Sequence, residues 1–321
     1  MIVETRLIAS LTINRVANNL LYHHIISIEL KISMTDNYIF LAPESVFPIT
    51  KDENGTLLAN QPTTGFSTSG TIQGEGKMAG VPVLFVRTAG CNLRCMWNLP
   101  NGEVSLCDTP SASFDTRGEK RMAIETVKKI ILNNMGKMNH LVISGGEPFI
   151  QAKGLVSLIS ELKDERNFHI SIETNGTIFN EELVNSIQFF SISPKLKNAV
   201  PTKEKLDKTR ATIPFDPKHV EQARINIHAI QSIIDHCRQT PGKDFQLKFV
   251  VQNHDELQEI EDTFLSQLTN WNPDDVVLMP LGSTPDEMKQ TRMLTIEAAI
   301  ERGWRYSPRL QINYFGGVAG V

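Results

Sequence analysis

From Pro82 onward the chain alternates short apolar runs with longer stretches whose apolar residues recur at helical spacing. The short runs are VLFVR (83–87), HLVIS (140–144), HISIE (169–173), FFSIS (189–193), FQLKFVV (245–251) and VVLM (276–279), all of strand length. Between and after them the pattern predicts helices near 122–135, 152–166, 180–187, 218–238, 255–269 and 285–302, with a last strand near 309–315. Six βα pairs and a closing strand describe an α/β protein with a parallel sheet covered on its outer face. Such a series curls into a full or partial barrel or opens into a doubly wound sheet, and in both cases ligands gather at the carboxyl ends of the strands. The polar and Gly-rich clusters obey that rule. TAGCNLRC follows the first strand, GGEP (145–148) the second, TNG (174–176) the third, PK (194–195) the fourth and PLG (280–282) the sixth.

Upstream of Pro82 the periodicity fades. Residues 48–80 are rich in Pro, Gly, Thr and Ser and read as a loop-rich lead-in to a single core domain spanning 48–321, with an N-terminal extension over 1–47. Val16 to Ile28 is uncharged but too short and too polar to span a bilayer, and Glu4 and Arg6 in front of it do not make a secretory leader. Met34 opens a plainer stretch, so residues 1–33 read as an upstream-start artefact or a frayed extension.

Composition narrows the class. Hydrophobic residues at 40 % and charged residues at 21 % are ordinary for a globular enzyme, and a net charge of -4 gives no electrostatic reason to expect nucleic acid. Four cysteines are too few for a disulfide scaffold. Three of them, Cys91, Cys95 and Cys107, fall within 17 positions, while Cys237 lies in an apolar helical run and reads as a buried small hydrophobe. The cluster points to metal or redox chemistry in a reducing, cytoplasmic setting.

Three thiolates near one loop suit an iron–sulfur cluster in which each cysteine binds one iron. A zinc-stabilised binding module is the alternative. It would need a fourth Cys or His, for which His140 is a candidate, and the usual short Cys-x2-Cys pair is missing.

CNLRCMW resembles the radical S-adenosylmethionine (SAM) superfamily, whose motif is Cys-x3-Cys-x2-Cys with an aromatic beside the last cysteine. Asn98 stands where the third cysteine is expected, but Cys107-Asp108-Thr109 is similar to the motif ending of one family in the superfamily. Residues 98–106, NLPNGEVSL, then read as a nine-residue insertion whose Pro-Asn-Gly turn returns Cys107 to the cluster. TIQGEGKMAGVPVLFVRTAGCNLRC, followed in order by SGGEP, ETNG, SPK and KFVV, resembles the 7-carboxy-7-deazaguanine synthase family from about Thr71 to Val321. A radical SAM activase that installs a glycyl radical in a partner shares the cysteine spacing and Gly-Gly-Glu-Pro, but not the IQGEG block or the Phe-x-Arg ahead of the cysteines.

The resemblance implies a partial (β/α)6-type radical SAM barrel and a lyase that converts 6-carboxy-5,6,7,8-tetrahydropterin to 7-carboxy-7-deazaguanine with loss of ammonia, in the queuosine precursor pathway. It implies a 4Fe-4S cluster on Cys91, Cys95 and Cys107, and Mg²⁺ held in part by Thr109. SAM would lie along Leu106, Cys107, Asp108, Gly146, Ser193, Pro194, Lys195, Met279, Pro280, Leu281 and Gly282, with Glu147 meeting its ammonium. Ile72, Gln73, Gly74, Arg87, Ser144 and Val321 map to positions that contact the pterin, the planar fork of Arg87 suiting its carboxylate. An electron donor and a homodimer are the expected partners. Where the family often ends in Gln-x-His, this chain offers Arg309 and Gln311.

Overall fold

The computed structural model describes residues 37–60, 62–214, 216–316, 318, 320 and 321. The expected extension over 1–33 lies outside them. Twelve strands are present among the described residues: β1 (Tyr38–Phe47), β2 (Thr71–Ile72), β3 (Pro82–Thr88), β4 (Met96–Asn98), β5 (Val104–Leu106), β6 (Lys120–Ala123), β7 (His140–Gly145), β8 (His169–Thr174), β9 (Phe189–Ile192), β10 (Asp244–Val251), β11 (Val276–Pro280) and β12 (Arg305–Tyr306). Ten form one sheet in the order β12-β11-β10-β9-β8-β7-β3-β1-β6, with β2 beside β3, while β4 and β5 make a separate hairpin. From β3 through β7 to β12 every neighbour is parallel, and β1, β2 and β6 run antiparallel at the other side. The six expected strands therefore lie side by side in chain order. The sheet does not close on itself among the described residues, as a partial barrel requires.

Side-chain alternation fixes which face does what, because successive residues of a strand point to opposite faces. Leu84 and Val86, Leu141 and Ile143, Ile170 and Ile172, Leu247, Phe249 and Val251, and Val276 and Leu278 belong to one buried core with the covering helices. Each such side chain contributes about 1.5–3 kcal/mol on burial, so this face holds the sheet to its helices. The residues between them (Phe85, Arg87, Ser144, Glu173, Lys248, Val250 and Met279) turn to the opposite face and line a cavity.

Two segments depart from the sequence expectation. The boundary expected at 48 falls after a strand the sheet includes: β1 pairs with both β3 and β6, and Ile39, Leu41, Val46 and Phe47 are buried. Pro43 disguises the run, and its register against β3 slips between Leu41 and Val46, where Ser45 takes a left-handed φ of 51°. The closing strand expected near 309–315 is instead a helix, Leu310–Phe315, and the last strand is β12 at Arg305–Tyr306. The alternation of Leu310, Ile312 and Tyr314 mimics a strand, but only Ile312 is buried, and Gly316 ends the helix with φ 68°.

Candidate active site

The parallel strands all point their carboxyl ends at the cavity, which Cys91, Cys95 and Cys107 line together. Cys91 and Cys95 lie in the turn after β3. The insertion expected over 98–106 is the β4–β5 hairpin, in which Met96 opposes Leu106, Trp97 opposes Ser105 and Asn98 opposes Val104. The Gly102 N–H donates to Leu99 O at 2.9 Å across its tip, and the Cys107 N–H donates to Cys95 O at 3.0 Å at its base. The excursion thus returns Cys107 to the second cysteine, as the turn chemistry predicted.

All three thiols have raised pKa values, mainly because burial disfavours the thiolate. Cys107 is pushed up to about 11, with the Asp108 charge adding to the effect and Thr109 opposing it. Thiols whose thiolate is disfavoured in this way, Cys95 buried and Cys91 and Cys107 half-buried, bind as thiolates when a cation compensates them, which is what iron supplies to its ligands. Among the described residues no three Cys, His, Asp or Glu side chains close on one point as a single-ion site needs, whereas cysteines around a cluster each serve a separate iron. His140, the zinc candidate, opens β7 at the end of the sheet away from the cavity and bonds to the Ser171 hydroxyl. Cys237 is buried in the helix core, as expected.

The opposite wall carries a charge network. The Glu75 carboxylate accepts from Arg309 Nε at 2.9 Å and Gln311 Nε2 at 2.6 Å and pairs with Lys248, while Arg309 Nη2 reaches Asp108 at 2.6 Å. Burial alone would raise the Glu75 pKa. Lys248 and then Arg309 outweigh it, so the carboxyl lies far below the usual carboxylate range. Asp108 is likewise held down, against burial, by Arg309. Ser144 donates to Glu173 at 2.8 Å, and Gln73 Nε2 donates to the other oxygen of Glu173 at 3.2 Å. Arg87 contributes to holding Asp108 down through its charge. Its Nε is buried without a hydrogen-bond partner, and its guanidinium lies 4.7 Å from the Phe47 ring centre.

Of the residues expected at the cofactor, Leu106, Cys107, Asp108, Gly146, Ser193, Lys195, Met279, Leu281 and Gly282 line the cavity, as do Ile72, Gln73, Gly74, Arg87, Ser144, Val321 and Thr109. Pro194 and Pro280 do not. Glu147 does not either: it is fully buried, with its carboxylate accepting from the Phe149 N–H at 3.1 Å, Thr174 Oγ1 at 2.8 Å and the Asn175 N–H at 2.7 Å. Those bonds brace the turn after β8 and leave the carboxylate one acceptor site, on Oε2. The paired glycines are also explained locally. A Cβ on Gly145 would stand 2.3 Å from Thr88 O, and one on Gly146 would stand 2.1 Å from Gly90 O.

Sequence reasoning gave no role to Glu75, Lys248 or Glu173. Each sits inside a quoted block or at the end of a strand run, but their mutual contacts span up to 173 positions and leave no local signal.

A family model for the radical SAM superfamily matches residues 85–189. Among curated proteins the chain is 37 % identical over 249 residues to 7-carboxy-7-deazaguanine synthase of Rhodopirellula baltica, covering 78 % of this chain and 85 % of that protein. Identity is 35 % to the synthase of Halobacterium salinarum, over 75 % of this chain and 86 % of that one. It is 30 % to the synthase of Pyrobaculum aerophilum, over 78 % and 93 %.

Proposed function

Because the chain belongs to the 7-carboxy-7-deazaguanine synthase family of radical SAM enzymes, we propose that its cavity converts 6-carboxy-5,6,7,8-tetrahydropterin to 7-carboxy-7-deazaguanine with loss of ammonia. When bound, a 4Fe-4S cluster and SAM supply the radical that takes a hydrogen from the substrate and begins ring contraction. The work of this chain is to hold, orient and exclude water.

Cys91, Cys95 and Cys107 are the proposed ligands, leaving a fourth iron open for SAM. Leu106, Asp108, Gly146, Ser193, Lys195, Met279, Leu281 and Gly282 would flank SAM, with Pro194 and Pro280 shaping the backbone behind them. The observation that carries the substrate reading is Arg87. A half-buried arginine whose buried Nε has no partner, facing a cavity and stacked on an aromatic ring, is a costly arrangement without an anion and a good receptor with one. Ile72, Gln73, Gly74, Ser144 and Val321 line the same cavity. Glu75, Lys248 and Arg309 are already paired with one another, so they serve as a rigid polar wall.

Thr109 is proposed as one oxygen ligand of Mg²⁺. Its hydroxyl lies on the cavity wall 3.3 Å from Cys107 Sγ, and the remaining oxygens would come from substrate and water. The reaction needs an electron from a separate donor, and a homodimer is the proposed assembly. Among the described residues no helix is long and apolar enough to cross a membrane. Free thiols as ligands support a reducing, cytoplasmic setting.

The test is product formation. Anaerobically reconstituted protein given reductant, SAM, Mg²⁺ and the carboxy-tetrahydropterin is expected to release 7-carboxy-7-deazaguanine, and SAM cleavage without that product would contradict the substrate assignment.

A further inference from the structure

The lengthened hairpin that carries Cys107 home has a structural difficulty. A two-stranded hairpin is marginal by itself, and β4–β5 is not part of the main sheet. Its support comes from the other long crossover. Residues 89–139 separate β3 from β7 and residues 193–243 separate β9 from β10, and these two excursions meet beside the cysteines. Leu93, Cys95, Ala199, Val200 and Val220 form a small apolar core of their own, with Cys91, Trp97 and Ala223 packed on it.

Two polar side chains of the second excursion grip the outer edge of β4. Asn198 Oδ1 accepts from the Asn98 N–H at 3.2 Å and its Nδ2 donates to Asn98 O at 3.3 Å, standing in for a third strand. Lys205, at the third position of the Lys203–Thr209 helix, is 3 % exposed. Its ammonium donates to Met96 O at 2.9 Å, Val200 O at 2.8 Å and Asn198 O at 2.5 Å. Three backbone carbonyls from two separate excursions thus converge on one buried cation, and one of them belongs to the residue after Cys95.

Resting on the cluster assignment made above, we propose that Lys205 is a positioning residue for the cluster: it clamps the cysteine hairpin to the 196–202 segment and fixes a positive charge behind Cys95. The charge lies close to its target, since the ammonium is bonded to the carbonyl of Met96, the residue that follows Cys95. A cation held near a cluster stabilises the reduced form, which carries one more negative charge. Lys205 therefore has two separable effects, one on how firmly the hairpin holds iron and one on the cluster potential.

The experiment measures iron release to a chelator and the cluster midpoint by redox-titrated EPR, in anaerobically reconstituted wild type, Lys205→Met, Lys205→Gln and Asn198→Ala. Lys205→Met is expected to release iron about tenfold faster, the low end of what loss of support behind metal ligands does, and to show a more negative midpoint. Lys205→Gln keeps a donor and loses the charge, so it should retain iron better than Met with the same negative shift. Asn198→Ala loosens the hairpin but leaves the charge, so faster release with an unchanged midpoint is expected. Wild-type release and midpoint in Lys205→Met would overturn the proposal. If circular dichroism shows that variant unfolded, a wild-type midpoint in Lys205→Gln would overturn it instead. A wild type that holds no iron contradicts the cluster assignment, not the role of Lys205.

Discussion

At one end of the cavity, burial drives ionisable groups away from charge, and at the other it locks them into charge. Cys91, Cys95 and Cys107 are pushed up because desolvation dominates. Glu75 is buried too, yet it is held down because Lys248 and Arg309 stand against it, and the half-exposed Asp108 is held down by Arg309. Burial alone therefore decides nothing. The supply of a partner decides, and only the thiol end depends on one that the chain does not itself provide. The charge end is a finished frame, and the thiol end is a receptor.

The sharpest way to break this contrast is at the hairpin. Cys107→Ala is expected to remove cluster assembly and with it SAM cleavage, read as methionine release falling to background. Full iron content and cleavage in that variant would move the third ligand elsewhere. Next comes the frame. Glu75→Gln leaves Lys248 and Arg309 as buried cations short of a counter-charge, which should cost about 3–5 kcal/mol in urea unfolding. A loss under about 1 kcal/mol would mean that the network is not a stabilising unit.

Between the two ends lies Arg87, whose Nε has no hydrogen-bond partner. Arg87→Lys keeps the charge but loses the fork, so KM for the carboxylated pterin should rise roughly tenfold to a hundredfold, the range of about 1.5–3 kcal/mol for a bond to a charged group, with kcat less affected. An unchanged KM would place the substrate carboxylate elsewhere.

The smallest effect concerns burial without any partner charge. His140 is pushed down to about 4 and His169 is lowered as well, burial being the main cause in both. The unfolded chain binds these protons first, below an ordinary histidine pKa of about 6.5. Stability is therefore full above that pH and declines as the pH falls toward about 4. Glu75 adds slope only at the acid end of this window, below about pH 5, where the unfolded carboxyl binds a proton and the folded one does not. His140→Gln should flatten the decline in denaturation midpoints, and an unaltered slope would remove His140 as its source.

How much of this was legible in the sequence depends on how local each signal is. The six parallel strands announce themselves as apolar runs because both faces of each are covered. The return of Cys107 was legible in Pro-Asn-Gly, since a turn is a property of adjacent residues. β1 was hidden by Pro43 and a slipped register, and the Leu310–Phe315 helix by an accidental alternation. The bracing of Glu147 by Thr174 and Asn175 was hidden because these partners come from the next strand end. Glu75 and Lys248 meet across 173 positions, and the carbonyls that Lys205 gathers include one 109 positions away. Contacts of that reach exist only in the fold.

The central claim is that a hairpin excursion completes a three-cysteine cage with one open iron, and EPR of the reduced, anaerobically reconstituted protein tests it most directly. The account predicts about four irons per chain and a spectrum that changes on adding SAM and reverts when SAM is removed. Stoichiometric zinc without iron, or a cluster signal indifferent to SAM, would contradict it.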